Sequence, residues 1–97
     1  MLKLKIYWEL ETGEKFEEWT IPLELALAEK EFYNGKNITG VLADEKEPST
    51  TLLLFLAHKI HKRISDKPIP AYELWATKII RVEATDLSHP KLSGQAQ

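Results

Sequence analysis

Residues Leu52 to Arg63 read Leu-Leu-Leu-Phe-Leu-Ala-His-Lys-Ile-His-Lys-Arg, apolar on every side at the start and strongly basic at the end. A helix needs only one apolar stripe to dock on a small core. At ~100° per residue, Leu53, Leu56, Ala57, Ile60 and Ile64 share one stripe, and Leu54, Phe55 and His58 fall roughly opposite. A helix apolar on two faces is either sandwiched within its own fold or keeps one face for a partner.

The 97-residue chain is the size of one small domain with one core. Its composition, 43% apolar and 29% charged, is that of a globular protein rather than a disordered one. The longest apolar run, Leu52 to Ala57, is far short of the ~20 residues a membrane span takes. The N-terminus alternates and carries no long apolar run of the secretory type, so a cytoplasmic protein is expected, with no membrane partner. The absence of cysteine excludes disulfide and thiolate chemistry in this chain. The net charge of -2 divides unevenly. Residues 1–48 hold 6 Lys against 11 Asp and Glu, a balance of -5, and residues 49–97 hold 7 Lys and Arg against 4 Asp and Glu, a balance of +3. An acidic total speaks against sequence-independent nucleic-acid binding.

Residues 2–10 alternate, with Leu2, Leu4, Ile6, Trp8 and Leu10 against Lys3, Lys5, Tyr7 and Glu9, which predicts a strand with one buried face. A turn at Thr12-Gly13-Glu14 leads to a second strand over Lys15 to Ile21. If Trp19 and Ile21 face the core beside Trp8 and Ile6, the hairpin loop holds two or four residues. The four-residue version sets Trp8 opposite Trp19 and leaves Phe16 on the other face. Pro22 and Glu24 suit a helix start and Asn34-Gly35 a stop, so a helix is expected over about 22–33. A long loop over 34–49 follows, and Ser49 or Thr50 caps a second helix over about 50–64. Leu74, Trp75, Lys78, Ile79 and Val82 predict a third helix over about 70–82. The expected fold is thus α+β, an N-terminal β-hairpin followed by three α-helices in one domain over 1–86, with a flexible tail over 87–97.

His58 and His61 stand three apart, a spacing that metal sites use, but no Cys, Asp or Glu joins them on that face, and no metal is expected. Lys59, Lys62, Arg63 and Lys67 form a basic patch that equally suits a helix C-terminus. Glu17 and Glu18 point to opposite faces of their strand and cannot serve one site. With no nucleophile–base–orienter set and no Gly-rich phosphate loop, neither catalysis nor a cofactor is expected.

The order of the pieces resembles the tail assembly chaperones of long-tailed bacteriophages. The matching segments are Thr20-Ile21-Pro22 with Glu29-Lys30-Glu31-Phe32, then Phe55-Leu56-Ala57 with Lys62-Arg63, then Tyr72-Glu73-Leu74-Trp75 closing on Val82-Glu83. The resemblance covers about residues 5–84. The resemblance implies a non-enzymatic phage or prophage protein of the bacterial host cytoplasm. Such a protein covers apolar helices of the tape-measure protein, keeps it soluble while tail tube protein polymerises around it, and is absent from the finished virion. Helix-in-groove recognition needs an exposed apolar surface, for which Leu54, Phe55 and His58 are the candidates, bordered by Leu74 and Trp75. A patch of that kind also favours a homo-oligomer. The family often makes a second, frameshifted form, and His89-Pro90-Lys91 is encodable as a C-CCA-AAR slippery heptamer. Two other readings stay open: a small virion or head–tail joining protein, and a nucleic-acid-binding regulator using the basic end of the second helix.

Overall fold

The computed structural model describes residues 3–33 and 49–88. Two strands come first, β1 (Lys3–Leu10) and β2 (Lys15–Trp19), then helix α1 (Pro22–Tyr33). Helix α2 (Thr50–Ile64), the short helix α3 (Tyr72–Ala76) and strand β3 (Ile79–Ser88) complete it. The sheet is antiparallel with β1 in the middle, in the order β2-β1-β3. The class is α+β as expected, but the order differs: the chain closes on a strand.

The expected helix over 70–82 is helical only over Tyr72–Ala76. Trp75, Ile79 and Val82 have helical spacing, but Val82 and Ala84 also alternate with Arg81 and Glu83 at the strand period. Tertiary pairing decides between the two patterns. β1 has a free edge beside the hairpin, and Ile79–Ser88, rich in β-branched residues, fills it. The backbone carbonyl of Lys78 accepts from the Glu11 N–H at 2.8 Å, which anchors the start of β3 to the hairpin loop. The strand runs to Ser88, two residues past the expected domain boundary. The rest of the expected tail, with His89-Pro90-Lys91, and nearly all of the 34–49 loop lie outside the described residues.

The hairpin register also differs. Trp8 pairs with Phe16, and Trp19 with Lys5. The loop has three residues: the Leu10 N–H donates to the Glu14 carbonyl at 2.9 Å and the Gly13 N–H to the Leu10 carbonyl at 2.9 Å. Gly13 has φ 97°, the positive-φ residue that a three-residue hairpin loop requires. Phe16 therefore faces inward and stacks on Trp8 with centroids 5.3 Å apart. Trp19 turns to the outer face, where the Lys5 ammonium lies 5.8 Å from its ring. Beyond β2, Thr20 is buried, and its Oγ1 accepts from the Leu4 N–H at 3.0 Å.

α1 starts as its sequence predicts. Glu24 Oε1 accepts from the Ile21 N–H at 2.9 Å, the reach-back of a capping box. Ser49 caps α2, its Oγ accepting from the Leu52 N–H at 3.2 Å. α2 packs against α1, α3, β1 and β3, so it is the centre of the fold. Leu52, Leu53, Leu56, Ala57 and Ile60 of α2 are buried with Leu4, Ile6, Trp8, Leu25, Ala28 and Trp75. Each such large side chain contributes about 1.5–3 kcal/mol by leaving water. Ile64, expected on this stripe, is exposed at the helix end. Among the described residues no helix is long and apolar enough to cross a membrane.

Candidate binding groove

α1, α2 and α3 meet around a groove of about 310 Å³. Thr51, Phe55 and His58 recur at helical spacing on α2 and, with Lys59, line one side. Glu31 and Phe32 come from α1 and Tyr72 from α3. Phe32 meets Phe55 edge-on at 5.1 Å, and Tyr72 meets His58 edge-on at 5.6 Å. The Lys59 ammonium stands 5.2 Å from the centre of the Phe55 ring. The lining is thus largely aromatic, with one acidic and one basic side chain.

Of the five residues singled out from the sequence, Phe55 and His58 line this groove. Leu54 is half-buried against the core and is not among the lining residues. Leu74 is 56% exposed and lines neither this groove nor the second cavity described below. Trp75 is buried at 2% exposure and belongs to the core, its indole packed on His58 and hydrogen-bonded to His61. Phe32 and Tyr72 are the additions. In the sequence Phe32 closes the Glu29-Lys30-Glu31-Phe32 segment, and Tyr72 opens the Tyr-Glu-Leu-Trp segment. Which aromatics converge depends on how three helices cross, and spacing along one helix does not carry that.

Both histidines on α2 are buried. The His58 Nε2 is 2.9 Å from the Pro70 carbonyl. A carbonyl only accepts, so Nε2 carries the proton. His61 Nδ1 accepts from the Trp75 Nε1–H at 3.0 Å, so that nitrogen carries none. Burial pushes the His58 pKa below its ordinary value, the Pro70 hydrogen bond opposes this, and Lys59 and Lys62 add to it. Burial likewise lowers His61, opposed by Glu14 and assisted by His58. These rings therefore act as neutral fasteners for α3 and the segment before it. Among the described residues no group of three His, Cys, Asp or Glu is arranged to hold a metal.

A second cavity of about 620 Å³ lies between the hairpin tip and the C-terminal end of α2. Phe16, His61, Ile69 and Trp75 are among its walls, together with Glu14, Asp66, Lys67 and Lys78. It is the more highly charged of the two.

Two of the four members of the basic patch are engaged within the fold. Arg63 Nε donates to Glu24 Oε2 at 2.8 Å, and its Nη2 donates to the Trp19 carbonyl at 2.8 Å. Lys59 lies over Phe55, so Lys62 and Lys67 are what the patch has left. No protein-family model, no curated protein and no solved structure matches this chain.

Proposed function

We propose that this protein is a non-enzymatic tail assembly chaperone of a long-tailed phage or prophage, acting in the host cytoplasm. Its groove takes apolar side chains from helical segments of the tape-measure protein and keeps that protein soluble while the tail tube forms. The observation that carries the reading is the aromatic groove of Phe32, Phe55 and Tyr72. It is walled by helices and flanked by Glu31 and Lys59, the arrangement that helix-in-groove recognition uses. The motif resemblance supplies the identity of the partner. The engagement of Arg63 and Lys59 within the fold favours this reading over nucleic-acid binding.

Thr51 is an exposed groove residue in the first turn of α2. Thr51→Glu sets a carboxylate in the apolar groove and suits the helix dipole, so the fold is expected to persist. On co-expression, wild type is expected to keep the tape-measure protein in the soluble fraction and Thr51→Glu to lose most of it to the pellet. A tape-measure protein that is equally soluble with and without this chain would overturn the reading.

A further inference from the structure

The sheet ends on β3, and among the described residues no strand pairs with its outer edge. The other edge strand, β2, is five residues long, whereas β3 has ten. A long edge presents unpaired N–H and C=O groups that another strand can complete. β3 also has an antisymmetric charge pattern. Arg81 precedes Val82 and Glu83 follows it. The Arg81 and Glu83 side chains are 61% and 44% exposed, and Ile80 is 61% exposed.

We propose that β3 is a self-association edge: two copies pair it antiparallel about a two-fold axis centred on Val82, extending the sheet to β2-β1-β3-β3-β1-β2.

The charges select this register. A two-fold between antiparallel strands puts one residue opposite its own copy. Centred on Arg81 or on Glu83, the pairing opposes like charges, which is unfavourable. Centred on Ile80 or Ala84, it gives neither Arg81 nor Glu83 an opposite charge. Centred on Val82, each Arg81 faces the other copy's Glu83 on both sides of the axis. The Arg81 guanidinium is held ready on the outer face, 2.8 Å from Glu83 of its own chain and 5.6 Å from the Tyr7 ring centre. The register of β3 on β1 shifts between Lys5 and Ile6 and again between Glu9 and Leu10. The run Arg81–Ala84 between the shifts is regular, and bulges bend the strand at both ends. The interface is therefore short and salt-sensitive. It does not depend on the chaperone reading.

Sedimentation at low ionic strength tests it, at about 1 mM chain, where even a millimolar Kd fills much of the interface. Wild type is expected near twice the 11.2 kDa of one chain. Arg81→Glu and Glu83→Arg alone are expected to stay monomeric, and their equimolar mixture to form a heterodimer, because each then faces opposite charges. The double variant R81E/E83R keeps the pair within its own chain. It is expected to dimerise by itself but not to mix with wild type in native mass spectrometry, an arm that does not need the single variants to fold. A monomeric wild type, single variants that dimerise like wild type, or a double variant that mixes freely with wild type would each overturn the proposal.

Discussion

The indole N–H of Trp75 donates to His61 Nδ1 at 3.0 Å, and both side chains are buried. This bond ties the one-turn helix α3 to the last turn of α2. With the His58–Pro70 bond it holds the whole 65–76 segment, which otherwise has little regular structure of its own.

Trp75 and Trp8 are expected to respond differently to the same substitution. Trp75→Phe leaves His61 Nδ1 buried without its donor, at about 1–3 kcal/mol beyond the lost volume. Trp8 Nε1 is buried with no hydrogen-bond partner among the described residues, so Trp8→Phe removes an unsatisfied donor and costs less. Urea midpoints at unchanged m-value report the difference. Equal losses would mean that the Trp75–His61 bond contributes little.

Stability is expected to fall on mild acidification. Burial holds both histidines below the ordinary value of 6.5 in the folded state. As pH drops through that value the unfolded chain takes up protons before the folded chain does. Stability is thus fully present above about pH 6.5 and declines below it, until the folded rings themselves titrate. Urea midpoints at about pH 7.5 and about pH 5.5 measure this. His61→Gln is expected to shrink the difference. A rise in stability on acidification would contradict the neutral assignment of the two rings.

Glu24 is buried, while the Arg63 side chain is 32% exposed. Arg63→Met strands the carboxylate and is expected to cost about 2 kcal/mol, less than for a fully buried pair because water reaches the guanidinium. Glu24→Gln leaves an arginine that can turn to solvent and is expected to cost less. The E24Q/R63M double variant, compared with both singles by chemical denaturation, gives the coupling. Additive losses would show that the two charges do not depend on one another.

Gly13 tests the hairpin register. Its φ of 97° is strained for any residue with a Cβ, although a Cβ there meets no atom within 4 Å. Gly13→Ala is expected to cost about 1 kcal/mol through the backbone alone. A thermal melt with no change in midpoint would point to a different loop.

The two long helices were legible because their ends carry local signals: Pro22 with Glu24 for α1, and Ser49 for α2. The hairpin was legible in its strands and turn but not in its register. Trp19 and Ile21 supply an apolar alternation that suggests one face, whereas Phe16 supplies the other. The three-residue loop and the cover that Phe16 gives Trp8 and His61, with Phe16 and His61 centroids 4.5 Å apart, decide for Phe16. The groove was half legible. Phe55 and His58 follow from the second face of α2, but Phe32 and Tyr72 join them only where α1 and α3 cross it.

By itself, the amino-acid order determined the α+β class, the extent of α1 and α2, and the doubly apolar character of Leu52 to Arg63. Each of these depends on residues a turn or a strand pair apart, and such short-range patterns are written directly in the chain. The tertiary structure alone decided that Ile79–Ser88 is a strand, that Trp75 is core, and that the second face of α2 is partly covered by α1 and α3. Those outcomes rest on contacts between segments far apart in sequence. A ten-residue stretch with both helical and strand periodicity takes whichever form completes an open sheet edge.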